Sequence, residues 1–101
     1  MQIDEALRDG VPVVRLKGRL DSRAAEVCAG RLLALAADGR PALILDMAEV
    51  AYVGGAGLRV LIMLAACGLA PLRIEAPPQP LVEALQLSGV GDRLKRALPV
   101  M

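Results

Sequence analysis

Polar and apolar positions change period several times along this chain, and each change marks an element. Ile3 to Arg8 alternates weakly, Asp9-Gly10 is a tight-turn pair, and Val13-Val14-Arg15-Leu16-Lys17 resumes a period of two. This predicts an opening β-hairpin that Gly18 ends. From Ser22 the period is helical: Ala25, Cys28, Leu32 and Leu35 share one stripe, and Arg23, Glu26 and Arg31 lie off it. Gly39 closes that helix and Pro41 blocks its resumption. Ala42-Leu-Ile-Leu45 is a continuous apolar run ending at Asp46, as expected of a central strand covered on both faces. The glycine loop Gly54-Gly55-Ala56-Gly57 leads into a helix from about Ala56 to Cys67. A strand, Leu72 to Glu75, and the rigid Ala76-Pro-Pro-Gln-Pro80 follow. Leu81 to Leu87 and Asp92 to Leu98 then make two short amphipathic helices separated by Ser88-Gly89.

The predicted order is ββαβαβαα. Right-handed crossovers turn that order into an α/β sandwich, a small mixed β-sheet with helices packed on it. The 101 residues are expected to form one domain, residues 1–101. Folding at this size buries roughly 65% of the unfolded chain's surface, enough for one core. With 55% apolar and 1% aromatic residues, that core must be built from Ala, Leu, Val and Ile.

Charge and composition remove several functions. Twelve basic residues against eleven acidic ones leave a net charge of +1, with no run of one sign to track a phosphate backbone, so nucleic acid is not an expected partner. Cys28 and Cys67 stand apart and the chain has no histidine, which argues against a metal site. The first 20 residues carry seven charges, from Asp4 to Arg19, and read neither as a signal peptide nor as a membrane span. A reducing cytoplasm and no membrane insertion are the expectation.

Catalytic chemistry has little to draw on. Nucleophilic catalysis needs an activated Ser, Cys, Thr or Lys beside a base, and the chain offers Ser22 and Ser88 with no Thr or His. Asp21 and Asp46 both fall after predicted strands, on the sheet edge where α/β folds place ligands, and are candidates to converge. Residue preference favours a plainer reading, with Asp21 or Ser22 capping the first helix and Asp46 ordering a turn. The glycine loop lacks the Lys-Ser/Thr of a phosphate loop, and Val60 stands where a dinucleotide fingerprint needs its third glycine. Neither an enzyme nor a bound cofactor is expected.

The helix after the loop points to a binding role. At about 100° per residue, Leu58, Leu61, Ile62 and Ala65 fall on one arc and Arg59, Val60, Met63, Leu64 and Cys67 on the other. The second arc holds one charge, so it is covered by the fold or by a partner. Met63 suits a partner contact, Arg59 would be its polar anchor, and a homodimer through the same helix is the alternative occupant.

Several of these segments together resemble STAS domains, the sulfate transporter and anti-sigma factor antagonist family. Glu49-Val-Ala-Tyr-Val-Gly-Gly-Ala-Gly-Leu-Arg-Val-Leu61 is similar to the family's core motif. Val14-Arg-Leu-Lys-Gly-Arg-Leu-Asp21 resembles its Gly-x-Leu-Asp strand end, Leu43-Ile-Leu-Asp46 its central strand and Ala84-Leu-Gln-Leu-Ser-Gly89 its late helix. The resemblance implies the same ββαβαβαα fold and a bacterial anti-sigma factor antagonist that binds a kinase-type anti-sigma factor. In such antagonists the loop reads Asp-Ser-Ser/Thr-Gly-Leu or Ser-Ser-Ala-Gly-Leu, and one serine is phosphorylated by the partner. Here Gly54 stands at the Asp position and Gly55 at the acceptor position, while Ala56-Gly57-Leu58 keep the pattern. The implied docking surface is Asp21, Ser22, Gly54, Gly55, Ala56, Gly57, Leu58, Arg59, Val60 and Met63, with no phosphorylation at Gly55. Ser22 is the one other hydroxyl expected near that edge. The second implied function is a regulatory STAS subunit of an ABC-type transport complex.

Overall fold

A computed structural model of the chain describes residues 1–37, 42–67, 71–88 and 92–98. Strands β1 (Gln2–Arg8) and β2 (Val11–Leu20) form the hairpin, and helix α1 (Ser22–Ala36) crosses to β3 (Leu43–Val53). Helix α2 (Gly55–Cys67), strand β4 (Leu72–Glu75) and helices α3 (Gln79–Ser88) and α4 (Asp92–Ala97) complete the order ββαβαβαα. The sheet runs β1-β2-β3-β4, with β1 antiparallel to β2 and the pairs β2/β3 and β3/β4 parallel. Asp9 and Gly10 take φ of 53° and 81° at the hairpin, the two positive values a tight two-residue turn requires. Gly39, Pro41 and Gly89 lie outside the described residues.

Alternation along β2 separates the two faces of the sheet. Val14, Leu16 and Leu20 are buried, while Arg15, Lys17 and Arg19 between them are exposed. On the core face they join Leu43, Leu45, Met47 and Ile74 of the sheet, Cys28 and Leu32 of α1, and Leu61 and Leu64 of α2. Among the described residues this core contains no buried polar side chain. Burial pushes the Cys28 thiol above its ordinary pKa. The opposite face is charged: Arg15 pairs with Asp46 at 3.3 Å and Lys17 with Glu49 at 4.0 Å. There Arg8 of β1 reaches Glu75 of β4 at 2.7 Å, because sheet twist brings opposite corners together.

The structure corrects five expectations. Gly18 does not end β2; it takes φ of 113° at a register shift, and the strand continues to Leu20. A left-handed glycine lets the strand absorb a bulge without leaving the sheet. β3 does not stop at Asp46 but runs on to Val53. Asp46 Oδ1 accepts the Ala48 N–H at 3.0 Å beside a second irregularity, after which pairing with β2 resumes. Asp46 and Asp21 therefore do not converge. Asp46 lies opposite Arg15, six residues short of Asp21, which is about 20 Å of strand. Leu64, expected on the outer arc of α2, is buried, because it shares the core-facing stripe of Gly57 and Leu61. α3 begins at Gln79, two residues early, since Pro80 is tolerated in a first helical turn.

Candidate functional site

Two strand-to-helix turns meet side by side at one end of the sheet. Leu20, the last residue of β2, pairs with Val53, the last of β3, so α1 and α2 start next to each other. Asp21 is the N-cap of α1: its Oδ1 accepts the Ala24 N–H at 3.0 Å, which satisfies one otherwise unpaired donor of the first turn. Gly54 joins the two turns, donating its N–H to the Leu20 carbonyl at 3.0 Å and accepting the Leu58 N–H at 2.9 Å.

The three loop glycines look alike in sequence and differ in what surrounds them. A Cβ on Gly57 would lie 2.6 Å from Leu20 Cγ and 2.7 Å from the Leu20 carbonyl oxygen, so α2 reaches the strand only because Gly57 has no side chain. A Cβ on Gly54 would lie 3.2 Å from the Tyr52 ring. Gly55 is exposed, with nothing within 4 Å of such a Cβ. None of the three has a positive φ, so tight turning is not what selects them.

Between α1 and α2 lies an open groove of about 390 Å³. From α2 come Ala56, Arg59, Val60 and Met63, and from α1 come Ser22, Ala25, Glu26 and Ala29. Its floor is apolar, with Arg59 and Glu26 as its charges. Met63 is 40% exposed, a large apolar side chain left open on this side of the molecule. Ser22, Ala56, Arg59, Val60 and Met63 are thus brought together in one groove. Gly54, half-buried, and Gly55, exposed, directly precede Ala56 in the chain, and Asp21 is exposed at the head of α1 just before Ser22. Gly57 is buried and Leu58 half-buried against the core, so both shape the surface from beneath.

Two neighbours escaped the sequence reading. Arg19 and Tyr52 face each other across β2 and β3, and the guanidinium stacks 4.3 Å from the ring centroid. Tyr52 is 44% exposed, so the pair extends the surface beyond Gly54. Glu26 and Ala29 carry a readable signal: with Ser22 they form an i, i+4, i+7 stripe on α1.

The Ala24 N–H, aided by the charge of Arg19, holds the Asp21 carboxyl below its ordinary value of 3.8. A lowered carboxylate pKa stabilises the fold above the unfolded value and loses that contribution as pH falls through the folded value. Asp21→Asn keeps a capping oxygen and cannot titrate. The thermal midpoint of the native chain should therefore fall relative to that of Asp21→Asn below pH 3.8, whereas Asp21→Ala should be less stable than Asp21→Asn throughout.

Residues 3–99 match the family model described as Mlab, STAS domain. No curated protein matches the chain. A solved anti-sigma factor antagonist from Mycobacterium paratuberculosis is 25% identical with a TM-score of 0.74, over 97% of this chain and 82% of that one. The anti-sigma factor antagonist SpoIIAA, in its unphosphorylated form, shares the fold at 16% identity and a TM-score of 0.64, over 84% of this chain and 82% of that one. A mixed sheet entered by a hairpin, an α2 seated on β2 through Gly57, and a family model spanning both place the chain in the STAS-domain family.

Proposed function

We propose that this chain is a non-catalytic, protein-binding regulator of the anti-sigma factor antagonist kind. It docks a kinase-type anti-sigma factor through the α1/α2 groove and the turn at Gly54 and Gly55, with Gly55 in the acceptor place leaving it unswitchable there. The observation that carries this reading is the apolar groove with Met63 40% exposed, whose lining residue Ala56 directly follows the exposed, hydroxyl-free Gly55. Burying Met63, Val60 and the alanine floor supplies attraction, and Arg59 with Glu26 fixes orientation. The solved structure at 25% identity is an anti-sigma factor antagonist, which supports the choice of partner.

Co-elution with a kinase-type anti-sigma factor from the same genome tests it. The native chain should form a complex, and Met63→Asp should weaken it by about thirtyfold or more, the size expected of a central contact, without changing the circular dichroism spectrum. A Met63→Asp variant that binds as tightly as the native chain contradicts the assignment of the groove.

The absence of a hydroxyl at Gly55 also favours a second reading, a STAS subunit that regulates an ABC-type transport complex and needs no phosphorylation switch. Gene neighbours separate the two: a kinase or phosphatase supports partner switching, and a transporter operon supports the second reading.

A further inference from the structure

Among the described residues β1 is an edge strand hydrogen-bonded only to β2, and every residue from Gln2 to Arg8 except Ile3 is exposed. Such an edge presents a row of backbone N–H and C=O groups ready to pair with another strand. Asp4 lies opposite Arg15, so Asp4, Ala6 and Arg8 share the charged face of the sheet. Glu5 lies opposite Val14, so Ile3, Glu5 and Leu7 share the helix-covered face.

We infer that a second copy of this chain occupies the edge. The two β1 strands pair antiparallel about a two-fold axis at Ala6, making one continuous sheet with the helices of both copies on the same side. Charge selects the register. A two-fold axis through Ala6 sets Asp4 opposite Arg8 of the partner subunit, and symmetry makes that pair twice. Axes through Asp4 or Glu5 would set identical carboxylates against each other, and one through Leu7 would set Glu5 against Asp9 of the partner subunit. Among the described residues Asp4 accepts the Gln2 amide, and Arg8 donates twice to the exposed Glu75 of β4, at 2.7 and 3.1 Å, so in the dimer Arg8 exchanges that surface pair for Asp4 of the partner subunit.

Helix α1 packs on β2 and α2 and reaches β1 through side chains, with Arg31 2.8 Å from Glu5 and Val27 lining one hollow with Met1 and Ile3. Leu7, at 65% the most exposed large apolar side chain among the described residues, is covered at the seam. The face of α1 that carries Ser22, Ala25 and Ala29 turns toward α2, so the dimer leaves both docking grooves open.

Sedimentation velocity on the native chain and on charge variants tests this. The native chain should dimerise, and Asp4→Arg and Arg8→Asp should each weaken the dimer by about tenfold or more. An equimolar mixture of the two variants should recover it, because every introduced charge then faces its opposite. Ala6→Lys, at an exposed position, should dissociate the dimer through repulsion at the axis. A native chain that stays monomeric up to about 1 mM overturns the inference. So does a dimer that none of these substitutions weakens, or a mixture of variants with native circular dichroism that fails to reassociate.

Discussion

Gly57→Val is expected to lower the thermal midpoint by about 10–20 °C, an effect of roughly 2–4 kcal/mol in a domain of this size. The first added carbon would sit 2.6 Å from Leu20 Cγ and 2.7 Å from the Leu20 carbonyl oxygen. The side chain has some freedom to move, but the carbonyl has little, because it accepts the Gly54 N–H and holds the turn. Relieving the clash means lifting α2 off β2 or breaking that bond. Replacing a helical glycine normally gains up to about 1 kcal/mol, which offsets part of the cost without reversing it. Gly55→Ala provides the control two residues away. With open space around it, that change should leave the midpoint unchanged or raise it by the equivalent of about 0.4–1 kcal/mol. Thermal unfolding followed by circular dichroism measures both, and a Gly57→Val midpoint within about 2 °C of native would remove Gly57 as the steric key of the turn.

Much of the fold is legible in the sequence because its elements keep clean periods. The Asp9-Gly10 pair sets the hairpin, and the stripe of Ala25, Cys28 and Leu32 sets the buried side of α1. The misreadings fall where one element depends on another. Gly18 and Asp46 resemble terminators, yet each marks a bulge inside a strand, and a bulge becomes visible only through the register of the neighbouring strand. Leu64 falls on the outer arc when α2 is considered alone and is buried once the sheet fixes Gly57, Leu61 and Leu64 as the core-facing stripe. The candidate site divides in the same way. Arg59, Val60 and Met63 follow from helical spacing within α2, whereas the Arg19–Tyr52 stack depends on the register reached after two irregularities. Three glycines that read as one loop prove to be a steric key at Gly57, a bed for the Tyr52 ring at Gly54 and an open position at Gly55.

That open position gives the second large effect. Gly55→Ser should fold normally, since nothing lies within 4 Å of its Cβ, and should place a hydroxyl at the start of α2 beside the groove. Phosphorylation there adds nearly two negative charges at a helix N-terminus, where they are compatible with the helix. For a docked partner the same charges are a hydrated obstacle at the edge of an apolar contact. The variant should therefore be modified by a kinase-type anti-sigma factor and lose affinity for it, while the native chain has no acceptor at this place. The most direct measurement is intact mass of the two proteins after incubation with that kinase and ATP, taken together with complex formation. The account predicts that the native chain gains no phosphate and stays bound, and that Gly55→Ser gains one phosphate group and is released. A phosphate on the native chain, at Ser22 or elsewhere, or a phosphorylated Gly55→Ser that stays bound as tightly as before, would contradict it.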